Sequence, residues 1–113
     1  VEILVVEVGE IPEENQMYRI LFDGSISDHH GSVVIGGQAD KISQFLRDRF
    51  HDDLTLAEGV KLGKEALEAG QGGPIRENTL EVAILDRVRP GRKFRRFSAL
   101  DLRELLAKAS LGS

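Results

Sequence analysis

Residues 18–50 decide the fold of this chain: YRILFDGSISDHHGSVVIGGQADKISQFLRDRF. This stretch predicts, in order, a strand, a tight turn, an irregular link, a second strand, a glycine corner and a helix. The first strand, at residues 18–22, should end at Asp23 and Gly24, because both residue types tolerate the positive φ of a tight turn.

A strand-to-helix unit makes up the second half of this stretch. Residues 32–35 are a short β-branched run that stops at Gly36 and Gly37. The apolar residues beyond them recur at the spacing of one helical face: Ile42, Phe45, Leu46 and Phe50. Because glycine has no Cβ, we expect the corner to let the helix begin close against the strand.

The segment before this stretch predicts a hairpin. Residues 1–8 are the most apolar strand candidate, and apolar side chains fall on both of its faces. A strand of that kind is covered on both sides. Pro12 and the polar residues around it predict a turn, so the first two strands should pair in antiparallel fashion.

A second helix is predicted to begin at Thr55, since Glu58, three residues later, completes a T-x-x-E capping box. We expect an inward apolar stripe on this helix: Leu56, Val60, Gly63 and Leu67. A glycine in mid-helix lowers helix stability, so Gly63 indicates a contact with another backbone. The glycine-rich segment that begins at Gly70 should end the helix.

The last third of the chain predicts two strands, at residues 80–86 and 94–97, joined by an Arg-Pro-Gly-Arg turn. A final helix is capped by Ser98 and Asp101 and carries one apolar stripe: Leu102, Leu105 and Leu106. The predicted order is β-β-β-α-α-β-β-α, an α+β fold. Strands that are apolar on both faces imply stacked layers, and about five strands are too few for two complete sheets.

The composition places the chain in a broad class. A length of 113 residues with 41% hydrophobic residues predicts a single domain, residues 1–113. The absence of cysteine excludes disulfides and thiolate metal sites and favours a reducing compartment. No apolar run approaches the roughly 18 residues of a membrane span, and acids interrupt the first strand as they would not in a signal peptide. We therefore expect a cytoplasmic protein with no membrane partner.

The ordered stretches of this sequence resemble a known family. They are YRILFDGSIS, SVVIGGQADKISQFL, LTLAEGVKLGKEAL and LEVAILDRVRPGRKFRRFSALDLRELL. Each alone is ordinary strand or helix chemistry, but their order and spacing together resemble the C-terminal half of a bacterial-type 20S proteasome α subunit. The resemblance covers nearly the whole chain, so we expect residues 1–113 to be the C-terminal portion of a larger subunit of this type.

The resemblance implies a fold and a set of partners. The implied fold is part of the four-layer α-β-β-α sandwich of N-terminal-nucleophile hydrolases, which would account for strands covered on both faces. In that family seven α subunits form an outer ring, the ring stacks on proteolytic β rings, and ATPase rings dock on it. The gating tail and the pocket for ATPase tails belong to the N-terminal half of such a subunit.

Comparison with the catalytic subunits of the same family implies that this chain is not an enzyme. Those subunits use an N-terminal threonine as nucleophile, whereas this chain starts with Val1 and its threonines, Thr55 and Thr79, are internal. Their Gly-Ser-Gly corner is replaced here by a Gly-Gly-Gln sequence at residues 36–38. Their Asp-x-x-Ser-Gly-Gly segment has neither the Asp nor the Ser at residues 68–73.

Other candidate sites carry weak signals. Asp28, His29 and His30 lack the spacing of metal ligands, because neighbours in extended chain point to opposite faces. The sequence at residues 24–28 departs from the Gly-x-Ser-x-Gly nucleophile elbow at its last position. The glycine corner at residues 36–37 lacks the rest of a phosphate-binding loop. We expect no catalytic residue, metal or cofactor.

Charge is distributed unevenly along the chain. Residues 87–96 contain six basic residues and no acid: Arg87, Arg89, Arg92, Lys93, Arg95 and Arg96. The remainder contains nine basic and nineteen acidic residues, a net charge of −10. Three interpretations are a solvated hairpin edge that resists aggregation, a contact with an acidic surface of a neighbouring subunit, and a phosphate contact. The acidic remainder argues against nucleic acid, and the family resemblance favours the subunit contact.

The sequence therefore predicts a non-catalytic structural α-type subunit of a proteasome core particle, acting in ATP-dependent protein degradation. Two alternatives stay open. The chain could be half of an N-terminal-nucleophile hydrolase whose nucleophile lies in a missing N-terminal part, which the processed N-terminus of the full-length protein would reveal. It could also be an unrelated small α+β binding module, which a gene that begins near Val1 would favour.

Overall fold

A computed structural model describes residues 3–21, 23–51, 53–76 and 79–111. The elements are β1 (Ile3–Glu7), a short 3-10 helix (Pro12–Glu14), β2 (Gln16–Ile20), β3 (Ile26–His29), α1 (Ala39–Arg49), α2 (Leu56–Gln71), β4 (Ala83–Leu85), β5 (Phe94–Arg96) and α3 (Ala99–Leu111). The predicted order β-β-β-α-α-β-β-α is confirmed. Several strand boundaries differ, since β1 ends one residue before its predicted end, β4 is shorter than predicted and β2 lies nearer the N-terminus. Residues 1 and 2, the predicted start of the first strand, lie outside the described residues.

The first three strands form one antiparallel sheet in the order β1-β2-β3. Val6 lies opposite Met17, and Ile20 lies opposite both Ile3 and Ile26. The predicted hairpin of the first two strands is therefore confirmed. Apolar side chains lie on both faces of β1, yet every residue of this strand is exposed.

The third strand lies earlier in the chain than predicted. The prediction placed it at residues 32–35, which are not in a strand, whereas β3 begins at Ile26. The tight turn explains the difference. Leu21 donates its backbone N–H to the carbonyl of Ser25 at 2.9 Å, and Gly24 has a φ of 86°. The chain thus reverses at once, and the residues directly after the turn pair with β2. The predicted end of β2 at Phe22 lies outside the described residues.

The glycine corner before α1 does not have the predicted role. A Cβ placed on Gly36 or Gly37 would meet no atom within 4 Å in the described structure, so the expectation of close packing there is wrong. Gly36 has a φ of 116°, which a residue with a Cβ rarely adopts. The corner therefore needs glycine for its backbone conformation.

The buried core among the described residues lies on the three helices. Its apolar members are Ile42, Ala57, Leu62, Ala66, Leu102, Leu106 and Ala109. Helix α2 packs against both α1 and α3. Gly70 lies directly against α1, because a Cβ there would lie 2.5 Å from Cγ1 of Ile42. The absence of a side chain at Gly70 thus lets α1 come near α2.

The inward stripe predicted for α2 is wrong. Leu56 is 48% exposed and Leu67 is 41% exposed, whereas Ala57 and Ala66, which flank the stripe on its two sides, are buried. Gly63 has open space around it in the described structure, so it makes no close backbone contact here. The stripe instead lines an open groove of about 520 Å³, together with residues 33–35 and 80–83. Gly70, which borders this stripe, is one residue at which α2 packs on α1.

Helix α2 also continues past its predicted end. Gly70 lies within the helix, and the left-handed Gly72, with a φ of 83°, terminates it. The Glu68 carboxylate accepts hydrogen bonds from the N–H of Ile75 at 2.9 Å and from Nζ of Lys64 at 3.2 Å. The bond from the Ile75 backbone has the largest effect on this carboxyl, and both bonds lower the pKa of Glu68 below its ordinary value. The bond from Ile75 also holds the glycine-rich segment back against the helix.

The capping box predicted at the start of α2 is confirmed. Thr55 Oγ1 accepts the backbone N–H of Glu58 at 3.2 Å, and the Glu58 carboxylate accepts the N–H of Thr55 at 2.9 Å. The hydrogen bond from the Thr55 backbone lowers the pKa of Glu58. The predicted cap of α3 forms in the same way between Ser98 and Asp101.

Replacing Thr55 with alanine should lower the free energy of unfolding by about 1 kcal/mol, because one N–H at the start of α2 loses its acceptor. Urea unfolding at neutral pH measures the loss, and Thr55→Ser, which keeps the hydroxyl, should restore most of it. The contribution of Glu58 is present above the pKa of the unfolded chain and is lost as the pH falls below about 4. Equal stability of the Thr55→Ala and Thr55→Ser variants would contradict the role of the Thr55 hydroxyl as a helix cap.

Candidate subunit interface

The six basic residues predicted as a contact site lie on one hairpin. Strands β4 and β5 pair in antiparallel fashion with Leu85 opposite Phe94. Asp86 donates its N–H to the carbonyl of Lys93 at 2.9 Å, which closes the loop. Gly91 takes a φ of 75° at the turn, as the predicted Arg-Pro-Gly-Arg sequence requires.

Arg87 points away from the hairpin surface toward the turn between β1 and β2. Its Nε donates to the carbonyl of Gly9 at 2.9 Å, and its Nη2 donates to Oδ1 of Asn15 at 2.7 Å. The same Oδ1 accepts the N–H of Gly9 at 3.0 Å. These three residues, the Gly9–Asn15–Arg87 clamp, join the two sheets through hydrogen bonds.

Gly9 is required for this geometry. A Cβ on Gly9 would clash with the Cβ of Glu14, so a larger residue would push the two sides of the turn apart. Neither Gly9 nor Asn15 was predicted to have a role at this site. The signals available were the glycine and the Asn within one turn, which indicate a tight turn but give no partner 72 residues away.

Two further basic residues brace the hairpin from within. Arg89 Nη1 donates across the turn to the carbonyl of Phe94 at 2.8 Å, and Lys93 Nζ donates to the carbonyl of Arg89. Asp86 accepts the N–H of Val88 with its carboxylate at 3.2 Å. The loop therefore holds its own shape through polar contacts.

The two arginines of β5 form ion pairs. Arg96 Nη2 lies 3.2 Å from the Glu81 carboxylate, and Arg95 Nη2 lies 3.7 Å from Asp101 at the start of α3. Both pairs are largely exposed, so each contributes little to stability. The Arg95 guanidinium also lies 5.2 Å from the centre of the Phe97 ring.

Arg92 differs from the other five. Its guanidinium lies 5.6 Å from the centre of the Phe94 ring. Within the part of the chain that the structure describes it takes part in neither a hydrogen bond nor an ion pair. The structure thus brings the six predicted residues together, turns Arg87 inward and leaves Arg92 with donors available to another molecule.

Asp28 and His29 lie at the end of β3, and His30 follows the strand directly. Ser27 Oγ and Nε2 of His29 are 2.9 Å apart on the same face of the strand, while Asp28 between them is exposed on the other face. Among the described residues no three His, Asp or Glu side chains are grouped as metal ligands would be. All three histidines of the chain, His29, His30 and His51, line a hollow of about 1150 Å³ between β1–β3 and β4–β5.

Comparison with known proteins decides the family. The family model described as "Proteasome subunit" matches residues 1–85. The chain belongs to the proteasome subunit family. The predicted α+β fold class is confirmed by this match together with the mixed architecture of sheets and helices.

Among relatives of this proteasome-family chain are bacterial proteins named proteasome subunit alpha. The protein of Kineococcus radiotolerans is 51% identical, with 95% of this chain and 48% of the relative covered. That of Streptomyces griseus is 50% identical, with 100% and 43% covered. That of Thermomonospora curvata is 42% identical, with 97% and 48% covered. The predicted likeness to bacterial α subunits is confirmed, and the chain spans a little under half the length of these relatives.

None of the helices in the described parts of the chain combines the length and the apolar character that a membrane crossing requires.

Proposed function

We propose that this proteasome-family chain is the C-terminal portion of a non-catalytic α-type subunit that forms part of the wall of a proteasome core particle. In this proposal the subunit assembles with other α subunits into a heptameric ring, which stacks on proteolytic β rings and docks an ATPase activator in the cytoplasm. The observation that carries the proposal is identity of about 50% to proteins named proteasome subunit alpha over nearly the whole chain.

The distribution of buried residues supports a structural role. The buried apolar core of the described residues lies on the helices, while both faces of β1 carry exposed apolar side chains, such as Val5 (43%) on one face and Val6 (45%) on the other. A sheet with two apolar faces is normally covered on both sides. Further polypeptide packed on these faces would complete the layers, as a larger subunit would provide.

The basic hairpin is our proposed subunit contact. Its exposed guanidinium groups lie on a chain whose remaining residues carry a net charge of −10, so contacts between neighbouring copies can be charge-complementary. In this proposal Arg89, Arg92, Lys93, Arg95 and Arg96 present the positive surface. Arg87 belongs to the same site but acts by holding the hairpin in place.

The proposal is tested by peptide hydrolysis and by assembly. The purified chain should not hydrolyse short fluorogenic peptides, whereas a particle that contains it together with proteasome β subunits should do so. The control is the same particle with its β-subunit nucleophile blocked, which should be inactive. Turnover by the chain alone that survives removal of contaminating proteases would refute the non-catalytic assignment.

A further inference from the structure

The hollow between the two sheets has apolar side chains on both of its walls. Its lining includes Leu4, Val6 and Met17 on one sheet and Leu85 and Phe94 on the other. Its volume is about 1150 Å³, whereas the interior of a folded protein leaves few voids larger than a water molecule. The walls are also exposed, since Val6 is 45% and Phe94 is 44% accessible to solvent. Apolar surface of this extent is normally covered by further polypeptide.

The Gly9–Asn15–Arg87 clamp ties these walls together at one end of the hollow. Gly9 lies two residues beyond the end of β1, and Arg87 lies two residues beyond the end of β4. The two hydrogen bonds of Arg87, at 2.9 Å and 2.7 Å, therefore join the ends of the two walls. The close packing of the described strands lies within each sheet, where β1 packs on β2, β2 on β3 and β4 on β5. The separation of the walls thus depends on the clamp.

A second copy of this chain is a poor occupant of the hollow. The most exposed of the large apolar side chains described is Val88, at 84%, and it lies between Arg87 and Arg89. Inserting that loop would bury charged groups in an apolar space, which is costly. The rest of a larger subunit is a better source. Because this chain spans a little under half the length of its relatives named proteasome subunit alpha, such a subunit has more than half of its polypeptide left to fill the hollow.

We infer that the clamp keeps the hollow preformed as the docking site for an apolar segment of the same subunit, one that lies outside these 113 residues. The inference rests on the proposed function for the existence of that segment. It adds that Arg87 positions the two walls before the segment binds. Walls that are already fixed lose less conformational entropy on binding, so the segment binds more tightly than it would to two freely moving sheets.

The distance between the two walls tests the role of the clamp. The chain has no cysteine, so Ile26→Cys and Arg96→Cys place one spin label on each sheet, at exposed strand ends remote from the clamp. Electron paramagnetic resonance should give one narrow distance distribution for this doubly labelled protein. Adding Arg87→Gln should broaden the distribution. Adding Arg92→Gln should not, because it removes the same charge without breaking a hydrogen bond.

Binding of the missing segment tests the docking site. The binding partner is the part of the Kineococcus radiotolerans proteasome subunit alpha that this chain does not match, produced together with this chain as a separate polypeptide. Arg87→Gln should raise the dissociation constant of the purified complex about tenfold, because the walls must then be ordered on binding. The matched control is Ser98→Ala, which loses the cap of α3 and a comparable amount of stability but leaves the clamp intact. It should bind as the wild type does.

Thiol modification shows whether the segment enters the hollow. A cysteine in place of Val6 faces the hollow, and in the complex it should react with a maleimide about tenfold more slowly than in the chain alone, because access limits the reaction. Lys41→Cys, at an exposed position of α1 outside the lining of the hollow, should react at the same rate in both.

Four results would overturn the inference. They are a broad distance distribution without Arg87→Gln, equal binding by Arg87→Gln and Ser98→Ala, a Val6→Cys that stays reactive in the complex, and the absence of any complex. Protection of Val6→Cys in a dimer of the chain alone would also overturn it, since a second copy would then fill the hollow. The proposed function is tested separately by the activity of the particle assembled with β subunits, so it stands if that particle forms while these experiments fail.

Discussion

Replacing Gly70 with leucine should lower the free energy of unfolding by about 2–3 kcal/mol, through overpacking of the helical core. The Cβ of any larger residue would lie 2.5 Å from Cγ1 and 2.7 Å from Cδ1 of Ile42, and 3.4 Å from Cβ of Gln38. Ile42 is itself buried, so it has little room to move away. Helices α1 and α2 would have to separate. Urea unfolding followed by circular dichroism measures the change.

The same replacement at Gly63 is the matched control, because it lies on the same helix with open space around it. There leucine should raise the free energy of unfolding by a little under 1 kcal/mol, since it removes the flexibility of a mid-helix glycine. Opposite signs at two positions of one helix separate a packing effect from helix propensity. Two variants with the same sign would show that α2 does not approach α1 at Gly70.

Local signals in the sequence predicted much of this fold. The capping boxes at Thr55 and Ser98 are correct because a cap depends on residues three positions apart, which the sequence shows directly. The stripe of α3 is likewise correct at Leu102 and Leu106, which are 2% and 8% exposed. The order of elements follows from the same periodicities and turn residues.

The errors arise where two local preferences compete or where tertiary contact decides. The β-branched run at residues 32–35 favours a strand, but the turn that ends β2 brings residues 26–29 beside it first. On α2 the buried residues border the predicted stripe, so periodicity alone does not say which of these positions pack on the other helices. Gly70, predicted to end the helix, instead lies within it and admits Ile42 of α1.

At the candidate interface, too, one part could be predicted from the sequence and another part could not. The basic residues are neighbours in sequence, so their gathering on one hairpin was predictable. Their individual roles were not, because Arg87 turns to partners 72 and 78 residues away, while Arg95 and Arg96 bind acids outside the hairpin. Which cations are held by hydrogen bonds or ion pairs, and which stay available to another molecule, depends on tertiary contacts that the sequence does not show.

Replacing Arg87 with glutamine should lower the free energy of unfolding by about 1–2 kcal/mol, because two charge-assisted hydrogen bonds to Gly9 and Asn15 are lost in a half-buried position. Arg87→Lys should not restore them, since an ammonium cannot reproduce the fork of two separate N–H donors. Arg92→Gln, which removes the same charge from the same hairpin without breaking a hydrogen bond, should change stability by less than about 0.5 kcal/mol.

The position of the loss distinguishes a clamp from general destabilisation. Hydrogen exchange should quicken at the amides that join β4 to β5 and at Gly9, whose N–H is held by Asn15, while amides in the middle of α2 keep their protection. Asn15→Ala should quicken exchange at the same amides, because it removes the shared acceptor. If Arg87→Gln quickens exchange equally throughout the chain, or if Arg87→Lys behaves as wild type, the two sheets are joined by something other than this clamp.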